Sequence, residues 1–99
     1  MDQDKKAVDK LLEKSNKFWL MQQIREKLKK LRKELGLTQA EVATRLGKDQ
    51  VFVSNCESGR RKIDPIELVG FLTIYDYSVG ELLENLDLEK AQDKDYVPI

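Results

Sequence analysis

The sequence predicts an all-α fold. Helix-start signals recur along it, three glycines stand where helices should stop, and the apolar residues repeat at the spacing of one helix face. The strand alternative finds little support. Val51-Phe52-Val53 is β-prone in isolation, but it is short and lies between helix signals.

The first helix of the central unit is expected near residues 22–35, with Ile24, Leu28, Leu31 and Leu35 on its inner face and Gly36 ending it. Thr38-Gln-Ala-Glu41 then reads as a capping box, with Leu37 and Val42 as its hydrophobic staple. It opens a helix over 38–46 that turns Val42, Ala43 and Leu46 inward and ends at Gly47. Asp49 caps a third helix, 49–58, held by Val53 and Cys56 and stopped by Gly59. Asp64-Pro-Ile-Glu67 is a second capping box, with Pro65 at the first helical position and Ile63 and Leu68 as staple. The helix it starts, 64–75, buries Leu68, Phe71, Leu72 and Tyr75. Ser78-Val-Gly-Glu81 repeats the device for a last helix, 78–85, with Tyr77 and Leu82 as staple and Val79, Leu82 and Leu83 inward.

Flanking this unit, residues 1–21 form a helical extension with an apolar stripe of Val8, Leu11, Leu12, Ser15, Phe18 and Trp19. No Gly or Pro separates it from the helix that follows, so one unbroken rod is an open alternative. Its Phe18-Trp19-Leu20-Met21 cluster either covers the core or meets a second subunit. Residues 86–99 are an acidic tail, fraying after a short helical extension.

A chain of 99 residues is sized for one domain with one modest core. Its single cysteine permits no internal disulfide and suits a reducing compartment. No apolar run is long enough to span a bilayer, and the N-terminus is too charged for a secretory signal, so the expected setting is cytoplasmic. With one Cys and no His, neither a metal site nor a cofactor is expected. No nucleophile–base spacing or glycine-rich phosphate loop points to an enzyme.

Net charge is zero, yet unevenly placed. Residues 22–63 hold eleven cations against five anions, a net +6, while residues 64–99 hold two against nine, a net −7. A basic middle and an acidic end suit a protein that turns only part of its surface to a polyanion.

Helix 38–46, the Gly47 turn and helix 49–58 make a helix-turn-helix. The second helix explains its own composition. Val53 and Cys56 hold it to the core, while Gln50, Val51, Ser54 and Asn55 point outward. Gln and Asn amides match adenine N6 and N7, and a Val methyl can rest on the thymine methyl. Arg60, Arg61 and Lys62 just past this helix, and Lys48 in the turn, are placed to meet phosphates. The bland alternative for each is a solvated side chain.

"LKKLRKELGLTQAEVATRLG" (residues 28–47) followed by "VSNCESGRRKID" (53–64) resembles the lambda-Cro/phage-repressor-like (Xre-type) helix-turn-helix regulators, over about residues 24–84. The resemblance implies a five-helix lambda-repressor-like domain with an additional N-terminal helix. It implies that Gln50, Val51 and Asn55 read bases, and that Gln39 contacts phosphate at the start of its helix, beside the Thr38 cap. It implies too that Arg32 and Glu57 pair between helices and fix the pose of the reading helix. Departures from the family pattern are Asp49, a carboxylate near phosphates, and Asn55-Cys56 in place of a basic and a large apolar residue. The function expected is a sequence-specific DNA-binding regulator, acting as a repressor and a homodimer on an inverted-repeat site in double-stranded DNA. Two alternatives stand beside it: an antitoxin-like protein that binds its own promoter and a protein partner, and an adaptor that has lost DNA binding.

Overall fold

The computed structural model describes residues 13–87 together with Val8 and Asp9. The expectations for Leu11, Leu12, the Ser15 side chain and residues 88–99 lie outside the described residues. Five helices follow one another among them: α1 (Lys14–Glu34), α2 (Gln39–Leu46), α3 (Gln50–Ser58), α4 (Pro65–Ile74) and α5 (Val79–Glu84). The family resemblance's five-helix, all-α expectation holds: no strand occurs among the described residues.

The helix expected from residue 22 begins instead at Lys14 and passes 21 and 22 without a break. Nothing in Met21-Gln22 opposes helix, so the rod continues, about 30 Å long at 1.5 Å per residue. The shorter helices start where their caps stand. Thr38, Asp64 and Ser78 each accept from the amide three residues on, and Glu41, Glu67 and Glu81 each reach back to the capping residue's own N–H. Asp49 Oδ1 accepts from Phe52 N at 2.9 Å.

Helix ends use the left-handed backbone that glycine tolerates. Gly47 (φ 70°) and Gly59 (φ 84°) are the C-caps of α2 and α3. The same turn follows α4 without a glycine: Asp76 has φ 51°, and Tyr77 N donates to Leu72 O at 3.0 Å as Leu37 N donates to Arg32 O after α1.

The core draws one or more buried side chains from every helix: Leu28 and Leu31, Val42 and Ala43, Val53 and Cys56, Phe71, Leu72 and Tyr75, and Leu82. Three residues expected inside are outside: Leu35 is 53% exposed, Val79 44% and Leu83 60%. Leu35 is the C-cap of α1, past the last turn that faces α3. Val79 and Leu83 lie on the side of the short α5 that no other helix among the described residues covers, while Leu82 reaches the interior. Gln23 of α1 holds the exit from α5, its Nε2 donating to Asp87 O at 3.1 Å and its Oε1 accepting from Asp87 N at 2.7 Å.

A candidate nucleic-acid interface

Burial determines which way α3 faces. Val53 and Cys56 are fully covered, and Phe52 and Glu57 on either side of them are partly so. At 100° per residue the opposite face is centred on Val51 and Ser58, with Ser54 and Asn55 beside them and Gln50 at the leading edge. Gln50 is exposed and Val51 is 63% exposed, while Ser54 and Asn55 are half-covered. The four residues expected to point outward therefore share one side, with its most open part at the N-terminal end. Ser58 lies on that side as well, although its hydroxyl donates to Asn55 O at 3.3 Å.

The α3 helix is clamped from α1 and α2. Arg32 is buried and meets Glu57 through two bonds, Nε to Oε2 at 2.7 Å and one terminal nitrogen to Oε1 at 3.1 Å. Its other terminal nitrogen donates to Leu37 O at 2.9 Å. Gln39 Nε2 joins the cluster, donating to Glu57 Oε1 at 3.0 Å. A carboxylate only accepts, so the Gln39 amide must turn its NH2 to Glu57, and the second hydrogen of that NH2 is left over. The bond to Glu57 holds the Arg32 guanidinium above its usual value despite the opposing effect of burial.

Gln39 and Ala40, at the first two positions of α2, have N–H groups with no acceptor within the helix, and the helix dipole favours an anion there. Glu41 does not fill that place, because its carboxylate is turned back to Thr38 N at 3.1 Å. The Thr38 amide and hydroxyl hold this carboxyl below the usual carboxylate range. The Thr38 hydroxyl also accepts from Glu41 N at 3.1 Å, which closes the capping box.

The cations after α3 divide. Arg60 and Lys62 are exposed. Arg61 is tied down: one terminal nitrogen donates to Glu67 Oε1 at 2.8 Å and to Lys62 O at 2.7 Å, and its guanidinium lies 4.5 Å from the centre of the Phe52 ring. Lys48 stands over the same ring at 5.4 Å. Phe52 in turn stacks on Phe71 at 6.5 Å. The turn before α3 and the loop after it thus meet on one aromatic ring, which holds Lys48 and Arg61 near the ends of α3.

Cys56, whose small size departs from the family pattern, is fully covered, and burial pushes its thiol up from the ordinary value. It is a packing residue with little thiolate at neutral pH. Sequence reasoning missed Arg25. It was one of many lysines and arginines on α1, and only the folded chain reveals that it lies against Gly59, immediately before Arg60.

No helix among the described residues is long and apolar enough to cross a membrane. No curated protein and no solved structure matches the chain. A family model described as helix-turn-helix matches residues 28–82, more than half of the sequence, from the inner face of α1 to the one buried leucine of α5. The chain therefore belongs to the lambda-repressor-like (Xre-type) helix-turn-helix family, a family of DNA-binding regulators.

Proposed function

We propose that the protein is a sequence-specific repressor that reads the major groove with α3. The observation that carries this reading is the two-sided character of α3: Val53 and Cys56 are sealed in the core, and Gln50, Val51, Ser54 and Asn55 stand together on the other side. A helix held in this way fits the major groove, where each base pair offers its own donor and acceptor pattern. Gln50 and Asn55 supply amides for adenine, Val51 an apolar contact for a thymine methyl, and Ser54 a hydroxyl. Thr38, Gln39 and the α2 N-terminus take one phosphate. Lys48, Arg60 and Lys62 take others, with Arg61 chiefly holding the loop in place and offering its remaining donors. Such contacts set register and carry the salt dependence.

One domain of this size reads few base pairs. A two-fold pair on an inverted repeat doubles them, with half-sites one helical turn apart. The exposed Val79 and Leu83, four residues apart on α5, offer an apolar stripe for a second copy. Repression would follow from occupying a promoter. The cytoplasm, with its DNA, is where such a protein acts.

Selection of bound duplexes from a random pool tests the reading. The expected product is an inverted repeat with half-site centres about 10 base pairs apart. Recovery of no preferred sequence would contradict it and favour the adaptor alternative.

A further inference from the structure

The α1 helix begins well before the family-matched segment, and Arg25 lies in that preceding part. Its guanidinium is laid flat over Gly59: a Cβ built on that glycine would stand 3.1 Å from Nε, 3.2 Å from Cζ and 3.3 Å from a terminal nitrogen. Gly59 is the C-cap of the reading helix, and Arg60 follows it directly. Among the described residues no carboxylate pairs with Arg25 and no acceptor is hydrogen-bonded to it. A half-buried guanidinium with all five donors unspent is thus fixed at the edge of the proposed interface.

Arg25 has company on its own helix. Arg25, Lys29 and Arg32 are spaced i, i+4 and i+7, so they share one face of α1. That face looks on α3, because Arg25 meets Gly59 and Arg32 meets Glu57. Lys29 lies between them, exposed and without an ion pair among the described residues. From Arg25 to Arg32 the row spans about 10 Å of helix. Arg25 also opposes the negative end of the α3 dipole, but that needs no more than one cation, and three follow α3 directly.

We propose that Arg25 and Lys29 form a second phosphate-binding row, supplied by α1, that grips the DNA backbone beside the reading helix. The proposal rests on the DNA-binding reading of α3 and adds a binding element that the matched segment does not fully contain. Arg25 is its anchor, pre-positioned by the flat contact with Gly59, and Lys29 extends the row by one helical turn.

The test is a salt titration of the full chain on a random-sequence duplex and on a selected site. The variants are Arg25→Gln, Arg25→Lys, and Arg25→Gln with Lys29→Gln, with thermal melts alongside. Each lost phosphate contact should flatten the slope of log affinity against log salt by about 0.9, and the double variant by about 1.8. Affinity at 0.1 M salt should fall roughly five- to tenfold per contact, equally on both duplexes. Arg25→Lys should keep the slope. An unchanged slope in both glutamine variants overturns the proposal whatever happens to melting, and leaves Arg25 as a partner of the helix dipole. If the unaltered chain binds no duplex at any salt concentration, the α3 reading fails and this proposal with it.

Discussion

Glu57→Ala should cost this protein much of its stability, and the geometry gives the size of the loss. The Glu57 side chain is 4% exposed and that of Arg32 9%. The carboxylate takes two bonds from Arg32 and one from Gln39. Without it, Arg32 stays buried with a full charge and a single acceptor, Leu37 O. Breaking a buried pair from one side costs about 3–5 kcal/mol, because the abandoned charge has lost both water and partner. The described domain has about 75 residues, for which total stability is of order 4–11 kcal/mol. The melting temperature should therefore fall by roughly 12–40 °C, read by circular dichroism. Arg32→Met with Glu57→Leu should restore most of it, since both charges leave together. That double variant should still bind DNA more weakly, because Gln39 loses the acceptor that aims its amide. A loss below about 1 kcal/mol for Glu57→Ala, or a double variant as unstable as the single one, would refute the buried-pair account.

Gln50→Ala and Asn55→Ala should each weaken binding to a selected site by about 1–3 kcal/mol and leave random duplex nearly untouched, as a gel-shift comparison would reveal. Arg60→Ala should instead weaken every duplex alike and flatten the salt slope by about 0.9. Gly47→Ala should destabilise by roughly 1–2 kcal/mol through backbone strain alone, because no atom lies within 4 Å of the new methyl. At Asp76, already left-handed, replacement by Gly should shift stability by less than about 1 kcal/mol, as relief of strain is offset by a freer unfolded chain. The Arg61 guanidinium, with help from the Asp64 amide, holds the Glu67 carboxyl below its usual range. Its stabilising effect is therefore complete at neutral pH and lost as pH falls below the ordinary carboxylate range. Glu67→Gln should flatten the acid limb of a stability–pH curve there, whereas an unaltered limb would remove Glu67 from the acid response.

The helix starts were legible because capping is a local code: Thr38, Asp64 and Ser78 each carry a glutamate three residues on, and chemistry within one turn decides the outcome. The two faces of α3 were legible for the same reason, from the three-residue spacing of Val53 and Cys56. Periodicity failed where it had to guess what lies opposite. Leu35, Val79 and Leu83 have core spacing, but the turn after α1 and the shortness of α5 leave them uncovered. The early start of α1 escaped because Glu13 makes no side-chain cap, so no local signal marks it. The Phe52 ring between Lys48 and Arg61, and Arg25 on Gly59, join residues whose spacing in the chain says nothing of their meeting.

Amide-resolved NMR of the full chain, titrated with a duplex recovered from a random pool, probes the reading helix most directly. The side-chain amides of Gln50 and Asn55 and the backbone amides of Val51 and Ser54 should shift strongly and saturate together, at a stoichiometry of two chains per inverted repeat. If those signals stay still while resonances of α4 and α5 move, α3 is not the element that reads DNA.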